Sequence, residues 1–258
     1  MTRIALFALL ISMLAGCVIE TNDTMAKNKD TGKALKAYVQ LGLRYVQDRN
    51  MTQADRVLRK AAAIDEDDAS LNNAYGLFYL VENDIEKAES HFKKAIAEDP
   101  EFSGAYNNYG NLLFNNGRYA EAVEHLLVVS KHYRYERRYQ VYETLGKCYV
   151  KLAQPEQAEQ AYLKALQLYP RLPGTLLALG ELYLDKGKYL LSKKYLDQFE
   201  ASSKPSAQQL WLGIRLQQHL GDADKLASYE LALRNLFPGS PQYREYQKLR
   251  ENQPTVSP

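Results

Sequence analysis

Residues 139–172 read YQVYETLGKCYVKLAQPEQAEQAYLKALQLYPRL. Two apolar stripes at helical spacing run through this stretch, Tyr142, Leu145 and Tyr149, then Ala158, Tyr162 and Ala165. Pro170 stops the second helix, because proline lacks the amide that a helix interior needs. The unit is a helix, a turn and a second helix, and it recurs. Gly42, Gly76, Gly110, Gly146, Gly180 and Gly213 follow one another at intervals of 34, 34, 36, 34 and 33 residues. Around them the first copy has Tyr38, Leu41, Tyr45, Ala54, Leu58 and Ala61. The second has Tyr75, Tyr79, Ala88, Phe92, Ala95 and Pro100, and the third has Tyr106, Tyr109, Leu113, Ala122 and Leu126. Glycine and alanine fall where two antiparallel helices touch, so the backbones approach closely. Tyr45, Tyr79, Phe92 and Tyr162 fill the wedge between one helix pair and the next.

A helical hairpin repeating every 34 residues resembles the tetratricopeptide repeat. The fold expected is all-α, a right-handed superhelical solenoid of about six hairpins in which each repeat buries its apolar face against its neighbours. The repeats fall at about residues 35–68, 69–102, 103–138, 139–172, 173–205 and 206–238. Copies five and six depart from the pattern. Copy five has Ser192 and Leu196 where alanine and an aromatic are expected, with its proline shifted to Pro205. Copy six keeps Gly213, Ala227, Tyr229 and Pro238. Residues 239–258 are read as a capping helix, about Gln242 to Arg250, followed by a disordered tail, NQPTVSP.

The remaining composition excludes several classes. The 258 residues are 46% apolar and 25% charged, which is neither collagen-like, disordered nor multi-span. A net charge of +2 gives no reason to expect nucleic acid. No GxxxxGK[ST], GxSxG or HExxH occurs. His91 and His125 are 34 apart and share a repeat position, which reads as a solvated second-helix face rather than a metal site. Cys148 falls within a packed first helix and reads as an inert buried thiol. No catalytic residue, cofactor, metal or small-molecule substrate is expected, and the chain is not read as an enzyme.

The N-terminus reads as an address. Met-Thr-Arg precedes an apolar run from Ile4 to Ala15, too short to span a bilayer, which needs roughly 17–25 residues. The run ends Leu14-Ala15-Gly16-Cys17, which resembles the lipobox of bacterial lipoproteins. That resemblance implies cleavage of residues 1–16 and an acylated Cys17, with Val18 in place of Asp pointing to the outer membrane, on its periplasmic face. Processing leaves 32 basic and 31 acidic residues. Residues 17–32 read as a flexible tether.

Repeat proteins of this kind bind through the face lined by first helices. By the family pattern this face carries the residues three before, one after and four after each glycine. These are Val39, Leu43 and Val46, then Asn73, Leu77 and Leu80, then Asn107, Asn111 and Phe114. The fourth copy places Glu143, Lys147 and Val150 there, so the groove grades from apolar to polar. An exposed apolar stripe implies a partner, an amphipathic helix or extended apolar segment. A helix from residues 25–37 folding back over the stripe, or plain interior packing of these positions, are the competing readings. A second interface candidate is the longer linker between copies three and four, with Tyr133, Arg134, Tyr135, Arg137 and Arg138, residue types common at binding hot spots.

Three segments, YNNYGNLLFNNGRYAEAVEHL (106–126), LWLGIRL (210–216) and ASYELALRNLFPGSPQYREYQ (227–247), resemble the PilF/PilW type IV pilus biogenesis lipoproteins, the pilotin group. The resemblance implies an outer-membrane lipoprotein, held by acyl chains. Its partner would be the secretin subunit, whose localisation and multimerisation it promotes, supporting pilus assembly and twitching motility. Another repeat-containing envelope lipoprotein, a β-barrel assembly subunit or a murein-hydrolase adaptor, is the alternative.

Overall fold

The computed structural model of the chain describes residues 30–251. The expected leader, Cys17 and the tail from residue 252 lie outside the described residues. Within them are thirteen helices and no strand. In chain order these are α1 (residues 30–47), α2 (Met51–Ala62), α3 (Ala69–Val81), α4 (Ile85–Glu98), α5 (Ser103–Asn115), α6 (Tyr119–Lys131) and α7 (Arg138–Lys151). They continue with α8 (Pro155–Leu168), α9 (Pro173–Asp185), α10 (Tyr189–Ser202), α11 (Ala207–Leu220), α12 (Ala223–Leu236) and α13 (Pro241–Glu251). The all-α tetratricopeptide fold expected from the glycine spacing is the one observed.

Helix α1 starts earlier than the sequence reading placed it. Residues 30–32, read as tether, are helical. Asp30 stands in the first turn, where an acid suits the helix dipole, and it lies 3.9 Å from Lys33. The apolar stripe that begins at Leu35 thus extends back by a polar turn.

Local chemistry sets the other boundaries. The side chains of Asn50, Asp68, Asp84, Ser206 and Asp222 each accept a bond from the amide three residues on, capping α2, α3, α4, α11 and α12. Pro155 and Pro173 open α8 and α9 at the position where a missing amide costs nothing. Each hairpin turn carries one residue of positive φ at the same register: Arg49, Asn83, Gly117, Ala153, Gly187 and Gly221, with φ between 54° and 78°. The turn therefore requires a left-handed residue, and three of the six copies supply glycine.

The chain divides into two compact units, up to Leu112 and from Leu113. In the first, Leu35, Val39, Val46, Ala54, Leu58, Ala61, Leu71, Ala74 and Phe78 form one core. A Cβ on Gly42 would lie 2.5 Å from Leu58, and one on Gly76 would lie 2.5 Å from the Phe92 ring. The glycines thus admit the large residue of the second helix of the same hairpin. Polar ties join successive hairpins. The Tyr109 hydroxyl donates to Glu89 at 2.8 Å, and Asn108 Nδ2 donates to Asn73 Oδ1 at 2.8 Å.

The second unit repeats this logic with one change. Gly146 faces the Tyr162 ring and Gly213 the Tyr229 ring. Gly180 instead faces Leu212 of the following hairpin. Ser192, at the alanine position of that copy, donates its hydroxyl to the Gly180 carbonyl at 2.7 Å, so the departure seen in the sequence is satisfied within the core. Tyr183 and Lys186 both bond Glu159, at 2.8 and 2.7 Å. Tyr243 and Tyr246 of α13 pack against Leu210, Ile214 and Leu233.

Candidate functional site

The predicted groove positions divide sharply once packing is seen. In the first unit Val39 and Val46 are buried, at 4% and 6% exposure. They belong to the core with Leu58, Leu71 and Phe78, so their assignment to an open groove is corrected. The reason is angular. Leu35, Val39, Gly42 and Val46 recur at helical spacing and form one stripe of α1, and Gly42 in that stripe abuts Leu58 of α2. Leu43 is one position further round and half-buried. Leu77 and Leu80 of α3 are likewise half-buried, and both Leu43 and Leu77 rest on the same core.

The polar positions are partly committed. Asn73 is buried at 7% exposure and accepts from Asn108, so it ties α3 to α5 rather than facing a ligand. Asn107 and Asn111 are half-buried, and Asn111 Nδ2 donates to the Asn107 carbonyl at 2.8 Å. The wall that remains in the first unit is Leu43, Leu77 and Leu80 with Asn107 and Asn111. In the second unit, Phe114 is half-buried against Tyr119, ring centroids 5.6 Å apart.

The second candidate surface is largely exposed. Tyr133 is 73% exposed, with the Arg134 guanidinium 5.6 Å from its ring centre. Arg134 and Arg137 are exposed, and Arg138 is half-buried. Tyr135 is half-buried, and burial raises its pKa above the ordinary tyrosine value.

Residues outside these surfaces have local roles. His91 is not simply solvated. It is half-buried, stacked on Tyr75 and Tyr79 with centroids 5.1 and 5.4 Å away, and its Nδ1 lies 3.0 Å from Asn72 Oδ1. Burial, helped by Lys94, pushes its pKa down. Cys148 is fully buried and burial pushes its thiol up to about 11, so it stays protonated at neutral pH. Among the described residues no group of three or more His, Cys, Asp or Glu could hold a metal, and no helix is long and apolar enough to cross a membrane.

Sequence reasoning missed one feature of the second unit. A cleft of about 510 Å³ lies between α6 and α8, with α7 beneath it. Buried Leu145 and half-buried Tyr142 and Tyr149 line it together with Leu127 and Leu163, each 39% exposed. The signal was present: Leu127 and Leu163 are 36 residues apart, the same long interval that separates Gly110 from Gly146.

The repeating hairpins define a tetratricopeptide-repeat protein, and models described as tetratricopeptide repeat match residues 39–101, 91–124 and 139–172. A relative, the type IV pilus assembly protein PilF of Pseudomonas aeruginosa, is 36% identical over 246 residues, 95% of this chain and 98% of its own length. The chain belongs to the family of that type IV pilus assembly protein. The solved structure described as a functional characterisation of Pseudomonas aeruginosa PilF matches with a TM-score of 0.79 at 36% identity, covering 85% of this chain and 99% of that one. The structure of PilW, described as a widely conserved type IV pilus biogenesis factor, shares the fold with a TM-score of 0.72 at 22% identity, over 83% of this chain and 98% of its own. YrrB, described as a tetratricopeptide-repeat protein with an unusual peptide-binding site, shares it with a TM-score of 0.63 at 17% identity, over 74% and 97%.

Proposed function

We propose that this chain is a pilotin, an acylated outer-membrane lipoprotein. It acts in type IV pilus assembly by binding the secretin subunit and promoting its localisation and multimerisation. It works by binding rather than catalysis. Family membership across 95% of the chain is the observation that carries the reading. The wall of Leu43, Leu77 and Leu80 supplies the contact, since half-buried leucines on a fixed helical scaffold gain stability when a partner covers them, at roughly 25 cal/mol per Å². Acylation of Cys17 supplies delivery. Several acyl chains hold a protein stably where one chain does not. The LAGC sequence at residues 14–17 supports it. The groove holds an aggregation-prone secretin segment until neighbouring subunits replace it.

The test is a count of heat-resistant secretin multimers in outer-membrane fractions. Cys17→Ser leaves the chain soluble in the periplasm and the multimers reduced. Leu43→Glu and Leu77→Glu leave the chain anchored and folded with multimers equally reduced. Wild-type multimer levels in both leucine variants remove the wall from the account, and normal levels in Cys17→Ser remove the anchor.

A further inference from the structure

The geometry points to a second docking site, wholly within the unit that begins at Leu113, for an amphipathic acidic polypeptide segment. The apolar half of the argument is the cleft between α6 and α8. At about 510 Å³ it falls within the usual range of ligand clefts, roughly 300–1,000 Å³. Its sides expose Leu127 and Leu163, and its floor is Leu145 between the two tyrosines. These leucines stand free on second helices.

The charged half is the linker at one end of the cleft. Two contacts fix it there. Tyr142, on the cleft floor, donates its hydroxyl to the Ser130 carbonyl at 3.3 Å, where α6 ends. Tyr139 stacks on Tyr169, at the end of α8, with centroids 5.1 Å apart. Lys131, Arg134, Arg137 and Arg138 stand in this stretch against a single acid, Glu136. Among the described residues none of these four cations forms an ion pair. By contrast, Lys147 pairs with Glu143 and Lys186 with Glu159 elsewhere in the same unit. At the far end of α8 Glu156 is paired with Lys186 at 3.6 Å, so the unpaired charge beside the cleft is the positive charge of the linker.

An apolar trough with a cation-rich linker at one end fits a segment with two or three large apolar side chains followed by carboxylates. A protein segment fits better than a membrane surface. The site is recessed between two helices, which a flat bilayer does not enter. Gln157 and Gln160 also stand along the α8 side, offering neutral donors and acceptors to a peptide main chain, and Lys164 beside them donates to Gln167 at 3.1 Å.

The test selects a displayed library of random dodecapeptides on the immobilised full chain, with Leu163→Glu as the counter-selecting chain. The best peptide is then measured by fluorescence anisotropy. The expected consensus is large apolar residues followed by Asp or Glu. Arg134→Glu/Arg137→Glu and Leu163→Glu each weaken binding by about tenfold or more, while Leu43→Glu leaves it within about twofold. Salt weakens it, since surface charge pairs are screened. The milder Arg134→Gln/Arg137→Gln and Leu163→Ala, with melting curves for all variants, guard against a loss that comes from misfolding. Selected peptides without acids, equal retention by Leu163→Glu, or no enrichment would each overturn the proposal. So would binding to phosphatidylglycerol vesicles that requires Arg134 and Arg137 in a chain that selects no peptide.

Discussion

The wall of the first unit and the cleft of the second are built on the same repeating motif, the wall by first helices and the rims of the cleft by second helices. In the first unit α1 and α3 offer Leu43, Leu77 and Leu80, but the positions beside them, Val39 and Val46, are core. In the second unit α6 and α8 leave Leu127 and Leu163 open beside a basic linker. The contrast shows that repeat position alone does not make a residue surface. The angular stripe it shares, and what packs on that stripe, decide.

The sharpest way to break this contrast is within α1. Val39→Asp places a carboxylate in the core and is expected to cost about 3 kcal/mol or more, read as a shift in the urea midpoint. Leu43→Glu, four residues on, is expected to cost less than about 1 kcal/mol. Equal costs would mean that the wall and the core are not distinct. Next in size, Gly146→Ala drives a methyl into the Tyr162 ring, and an overpacking cost of about 2 kcal/mol is expected in the same assay. A change below about 0.5 kcal/mol would show that the ring moves aside freely.

A smaller effect of opposite sign tests the turns. Ala153 has a φ of 54°, so Ala153→Gly is expected to stabilise by about 0.5–1 kcal/mol, and Gly187→Ala to destabilise by a similar amount. The smallest effect is a slope against pH. His91 is held below its ordinary pKa by burial, so the unfolded chain takes up its proton more readily as the pH falls below about 6.5. Stability is therefore present above that value and lost as the pH falls through the folded pKa. The melting temperature is expected to rise from about pH 5 to pH 7.5, and His91→Gln to flatten part of that rise. An unchanged slope in His91→Gln would assign the effect to other groups.

Much of the fold was legible because the constraint is steric and periodic. Gly42, Gly76, Gly146 and Gly213 each face the bulky residue sixteen positions on, Leu58, Phe92, Tyr162 and Tyr229, and a Cβ at any of the four would lie 2.4–2.7 Å from that side chain. Copy five was legible as a departure, but not its remedy, because the bond from Ser192 to the Gly180 carbonyl depends on where two helices cross. The site was less legible. A pattern rule placed Val39 and Leu43 on one face, while α1 turns them about 40° past each other, enough to bury one and leave the other half open. Arg49 and Ala153 gave no sign of left-handed turns, since neither residue type favours them. The 36-residue interval between Leu127 and Leu163 marks the wider spacing but not the cleft, because exposed and core leucines look alike in sequence until their neighbours are placed.

The central claim is that the α1 and α3 wall touches the secretin subunit in the envelope. The direct measurement is site-specific photo-crosslinking in living cells, with a benzophenone side chain placed in turn at Leu43, Leu77 and the exposed control Lys60. Adducts with the secretin subunit from positions 43 and 77 but not from 60 are predicted. Adducts from position 60 alone, or none from 43 and 77 in a chain that still supports multimers, would contradict it.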